Sequence, residues 1–78
     1  MNAEENEHTK KLLAADASLA QQKQALGWLA DYCEESYILN LPPSPATLAA
    51  LERYSKKGTA DAALKRRAAK LAKQYKLR

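Results

Sequence analysis

No valine and no phenylalanine occur in this chain, and isoleucine occurs once, as Ile38. Sheets draw on β-branched and aromatic side chains, which are scarce here. The apolar residues are instead twelve leucines and sixteen alanines, set among Lys, Gln, Glu and Arg. All of these are helix formers, so an all-α fold is the class this alphabet supports. The 78 residues suffice for one small domain, near the size at which a single core becomes marginal. A thin core of Leu and Tyr is expected, with Ala allowing close approach of helices.

Along the chain, residues Met1 to Thr9 show no apolar periodicity and read as a frayed acidic tail, leaving 10–78 as the helical domain. A helical pattern then runs from near Thr9 to about Glu35, with room for a break around Asp16 to Ser18. Leu12, Leu19, Leu26 and Cys33 recur every seven residues. Ala15, Leu29, Ala30 and Tyr37 fall on the same side, which makes this stripe the expected buried face. Trp28 and Tyr32 are one turn apart and off the stripe. With Tyr37 they are the candidate surface for a protein partner, although an off-stripe Trp in a three-helix domain more often packs against the third helix and closes the core.

Pro42, Pro43 and Pro45 forbid a helix continuing through the connection from Ser36 to Pro45. Ser44-Pro45 restarts one, with serine as N-cap and proline at the first helical position. This second helix should run to about Lys56, bury Leu48, Leu51 and Tyr54, and end at Gly58. Thr59 is the expected cap of a third helix reaching about Lys76. At the helical repeat, Ala60, Leu64, Ala68, Leu71 and Tyr75 share one face. Lys65, Arg66, Lys70, Lys73 and Lys76 spread across the other, with Arg67 at the border. The expectation is a three-helix bundle.

Charge is strongly segregated. From Asn40 to Arg78 there are ten Lys/Arg against two acids, Glu52 and Asp61; from Met1 to Leu39 there are three lysines against seven acids. The formal net charge of +4 conceals this split. Cations crowded on one helix face repel one another, so the arrangement does not serve the fold. Against phosphates, each contact releases a counterion and adds salt-dependent affinity. A solvated, solubilising face is the plainer account of the same residues. A polyanion is nonetheless the leading partner class, with an acidic protein surface as the rival.

Other chemistries find little support. Cys33 is the single cysteine, with no thiol to pair with, and reads as a small buried hydrophobe. His8 is the single histidine and lies in the expected tail. No Ser–His–Asp set, glycine-rich phosphate cradle or metal-ligand spacing occurs, so no enzyme activity, cofactor, metal or small-molecule substrate is expected. No apolar run reaches the roughly 18–20 residues of a membrane span. The polar, acidic amino terminus is unlike a secretory signal, which makes the cytoplasm the default compartment.

Three blocks resemble the amino-terminal core-binding (SAM-like) domain of tyrosine recombinases, the phage-integrase family. Leu29-Ala30-Asp31-Tyr32-Cys33 looks like the end of that domain's first helix. Leu41-Pro42-Pro43-Ser44-Pro45-Ala46-Thr47-Leu48 resembles the LPxSPxxV stretch that opens its second. Gly58 followed by Ala63-Leu64-Lys65-Arg66-Arg67-Ala68-Ala69 resembles its glycine and basic segment. The likeness covers about 50 of the 78 residues. Ala63, Ala68 and Glu52 depart from the usual threonine, leucine and apolar residue, and Tyr75 stands where histidine is frequent. The resemblance implies a domain that clamps one face of duplex DNA, with Lys65, Arg66 and Arg67 on the backbone. The sequence stops at Arg78, before that family's fourth helix and catalytic domain, so cutting and rejoining DNA is not expected of it alone.

The reading that results is a non-catalytic DNA-binding accessory or regulatory protein, of a mobile element, contacting phosphates through Lys65, Arg66, Arg67, Lys70, Lys73 and Lys76. No Asn or Gln stands beside an arginine on that face for bidentate base readout. The alternative is a small helical inhibitor or adaptor, for example a phage-encoded inhibitor of a host complex, in which segregated charge sets association with a protein.

Overall fold

The structure is a computed structural model that describes residues 3–38, 44–58 and 60–75, with the side chains of 36–38 outside the description. Among the described residues there are four helices and no strand: α1 (Ala3–Leu13), α2 (Leu19–Ile38), α3 (Pro45–Ser55) and α4 (Ala62–Tyr75). The first helix packs on α2 and α3, and α4 packs on the same two. The helices thus form a ring, in the order α1, α2, α4, α3, around one core. That core joins Leu12 of α1 to Ala25, Leu26, Leu29 and Cys33 of α2, Leu51 and Tyr54 of α3, and Leu64 and Ala68 of α4. Leu12, Leu26, Leu29, Cys33, Leu51 and Tyr54 are 0% exposed, and each buried leucine contributes about 1.5–3 kcal/mol.

Two corrections to the three-helix expectation concern the amino-terminal half. Residues 3–9, expected as a frayed tail, are helical. Glu4 and Glu5 lie in the first turn of α1 and Lys10 and Lys11 in the last, the arrangement that suits the helix dipole. Tertiary contacts hold the segment. Glu5 is 1% exposed and Thr47 0%, and the Thr47 hydroxyl donates to Glu5 Oε2. Thr47 stands in the first turn of α3, where the positive end of that helix favours a carboxylate. A buried charge without such compensation costs several kcal/mol, on the order of that for an isolated ion in a protein interior.

The second is the number of helices: the break allowed around Asp16 to Ser18 is present and divides the first expected helix in two. The chain leaves the helix after Leu13 and re-enters it at Leu19. Ser18 and Gln21 make a reciprocal capping box: Gln21 N–H donates to Ser18 Oγ at 3.1 Å and Ser18 N–H to Gln21 Oε1 at 2.8 Å. The break destroys the seven-residue phase, so Leu19 is 51% exposed and Ala15 is exposed as well. Gln22 ties this link to α3, with its Nε2 donating to Ala17 O at 2.9 Å and its Oε1 accepting from Tyr54 Oη at 2.7 Å. Lys57 Nζ, 3.5 Å from Ala14 O, reaches the carbonyl end of α1.

In the other half the expected helices stand, with changed punctuation. Ser44 caps α3, its Oγ accepting from Ala46 N–H at 3.2 Å, and Pro45 is the first helical residue. Leu51 and Tyr54 are buried, whereas Leu48 is half-buried. The helix ends at Ser55 with Lys56 as C-cap, and Gly58 does not adopt the left-handed conformation expected of a terminating glycine. The cap of α4 is Asp61 rather than Thr59: Asp61 Oδ1 accepts from Ala63 N–H at 3.0 Å and Leu64 N–H at 3.2 Å. The Asp61 side chain there satisfies two orphan donors of the first turn. Thr59 itself and residues 39–43 lie outside the described residues.

Candidate functional site

The fourth helix is amphipathic by construction. Leu64 and Ala68 are buried, Leu71, Ala72 and Tyr75 are half-buried, and Asp61 fixes where the helix starts and hence its phase. That phase decides which cations face solvent. Arg66, Arg67, Lys70 and Lys73 are exposed, and Lys65 is half-buried at the edge of the packed face. Lys76 lies outside the described residues.

Repulsion on this face is not relieved locally. Arg66–Lys70 are four residues apart and Arg67–Lys70 and Lys70–Lys73 three apart, and like-charge pairs at these spacings destabilise a helix by about 0.2–0.5 kcal/mol each. Lys73 in the last turn recovers a little from the dipole. Among the described residues no carboxylate lies within 4.0 Å of any of these cations; the ion pair present there is Lys56–Glu52 on α3, at 3.8 Å.

The two cations just past the end of α3 divide by role. Lys57 is half-buried and committed to the end of α1. Lys56, with Glu52 and Ser55, lines a groove of about 260 Å³ whose opposite wall is Ala69, Ala72 and Lys73 of α4. Sequence reasoning missed this juxtaposition. The only signal was the Glu52–Lys56 spacing, which says that the two share a helix face but not that α4 lies beside them.

Trp28 and Tyr32 do not form an open patch. Both are half-buried. The Trp28 indole is stacked on the His8 imidazole, centroids 4.3 Å apart and planes 3° from parallel, and on Tyr32 at 5.3 Å and 9°. His8 Nδ1 lies 2.7 Å from Glu4 O, so that nitrogen carries the proton it donates there. The histidine read as a lone tail residue is therefore part of the packing of α1 on α2. The side chain of Tyr37 is outside the described set.

Cys33 is 0% exposed. Burial, and secondarily the Glu5 carboxylate, push its thiol up to about 11, away from the thiolate a nucleophile needs. Among the described residues no group of three His, Cys, Asp or Glu side chains is placed to hold a metal, and no helix is long and apolar enough to cross a membrane. No family model, curated protein or solved structure matches this chain.

Proposed function

We propose that this chain is a non-catalytic DNA-binding protein, an accessory or regulatory factor of a mobile element, that neutralises duplex phosphates with the outer face of α4. The observation that carries the reading is the exposure of Arg66, Arg67, Lys70 and Lys73 with no carboxylate within ion-pair distance among the described residues. Such a face lacks a folding rationale, and a polyanion supplies the missing counter-charge. The likeness to recombinase core-binding domains points to Lys65, Arg66 and Arg67 of the same helix. The alternative, an inhibitor or adaptor, would dock through the half-buried Trp28 and Tyr32, where the indole is already stacked on His8 and Tyr32.

The test is an electrophoretic mobility shift on duplex DNA over a range of salt. Wild type should bind at low salt, and the triple reversal of Arg66, Lys70 and Lys73 to Glu should abolish binding while leaving the helical circular dichroism unchanged. Each single change to Ala should weaken all sequences alike and lower the salt slope by about 0.9. Wild-type protein that shifts no DNA yet captures an acidic protein would sink this reading in favour of the adaptor.

A further inference from the structure

We propose that the α3–α4 groove seats one strand of the duplex backbone between Lys56 and Lys73, and that Glu52 in the same groove weakens the contact. The proposal rests on the reading of α4 as a phosphate-binding helix and extends it to a second helix. One cation stands on each wall, Lys56 at the C-cap of α3 and Lys73 on α4. On the α4 side the remaining lining is Ala69 and Ala72, side chains small enough for a sugar–phosphate chain to come close to the helix.

Lys56 is available for such a role. Its pair with Glu52 is 3.8 Å long with the two side chains 76% and 59% exposed, and exposed pairs of this kind hold a lysine weakly. The Ser55 hydroxyl donates to Glu52 O at 2.6 Å and is thereby spent as a donor, which leaves the lysines as the groove's phosphate ligands. Lys73 lies seven residues from Arg66, nearly on the same line of α4 at the helical repeat. The groove and the outer cationic face are thus continuous around the helix. A series of cations running from one helix onto the next fits a repeating anion better than a single compact carboxylate cluster. Among the described residues lining the groove, Glu52 is the acid. Its carboxylate repels a phosphate and competes for Lys56, so it lowers affinity without abolishing it.

Binding to a duplex of arbitrary sequence, followed by fluorescence anisotropy, tests this with Lys56→Ala, Glu52→Gln and, as a control for net charge, Lys23→Ala, whose side chain is exposed on α2. The expected result is weaker binding for Lys56→Ala, tighter binding for Glu52→Gln and little change for Lys23→Ala. The wild-type advantage over Lys56→Ala should shrink about threefold as salt rises fourfold, the signature of one lost phosphate contact. If Lys56→Ala and Glu52→Gln both behave like Lys23→Ala while Arg66→Ala and Lys73→Ala still weaken binding, the groove is excluded and the α4 reading survives. A wild-type protein that binds no duplex overturns both. Tighter binding to a single strand of equal length overturns the assignment of the groove to a duplex.

Discussion

Replacing Thr47 by valine keeps its shape and removes the hydroxyl that donates to Glu5, a side chain 1% exposed. Loss of a donor to a buried acceptor costs about 1–3 kcal/mol, and urea unfolding should show a destabilisation of that size. Gly27 offers the opposite case. It lies inside α2, and a Cβ added there meets nothing within 4 Å. Gly27→Ala should therefore raise stability by about 0.5–1 kcal/mol by restricting the unfolded chain. Cys33 predicts a pH dependence. Its thiol, ordinarily near 9.0, is held up to about 11 in the folded state by burial first and Glu5 second. Below pH 9.0 both states keep the proton and the contribution is intact; as pH rises from there toward about 11 only the unfolded thiol ionises, and stability falls. Tyr54 is raised from 10.0 by burial and then by Asp61, and acts in the same direction. Urea midpoints across this range should decline, and less steeply in Cys33→Ala.

Helix ends are where local chemistry is most decisive. Ser44→Ala and Asp61→Ala should each cost about 1 kcal/mol through loss of a cap, measured against wild type by urea unfolding. Leu64→Ala, at a site 6% exposed, should cost roughly 2–5 kcal/mol. The start of α3 was legible because Ser44-Pro45 is a local signal read by its own backbone, and the cationic face of α4 because exposure follows directly from helical phase. The amino-terminal helix was not. Residues Ala3 to Thr9 carry no apolar stripe, and what holds them is a carboxylate meeting a hydroxyl 42 positions away, together with His8 on Trp28. The seven-residue spacing of Leu12 and Leu19 placed both on one buried stripe despite the break allowed around Asp16 to Ser18, because periodicity cannot register how a short link changes the phase. The capping box at Ser18 and Gln21 was the available local sign of that link. For the same reason Lys73 was recognisable as a candidate ligand while its groove partner Lys56 was not: phase is local, and juxtaposition is tertiary.

At the scale of the molecule, α1 closes a ring that α2, α4 and α3 leave open. It brings Leu12 to the core and carries the buried Glu5, so a chain lacking residues 1–13 should melt at a much lower temperature and expose the Cys33 thiol to alkylation. The proposed phosphate ligands Lys56, Arg66, Arg67, Lys70 and Lys73 lie on α4 and at the adjoining end of α3, which separates what folds the chain from what we propose it binds. The His8–Trp28–Tyr32 stack has an optical consequence. Trp28 is the only tryptophan, and it is stacked on a ring from α1, His8, as well as on a ring of its own helix, Tyr32. Indole emission therefore reports whether α1 is seated, whereas far-ultraviolet ellipticity reports all four helices together. In wild type the two signals should trace one coincident unfolding curve, as a cooperative domain requires. In Thr47→Val the emission change should run ahead of the loss of ellipticity, and the chain's own fluorophore would then time the departure of its first helix.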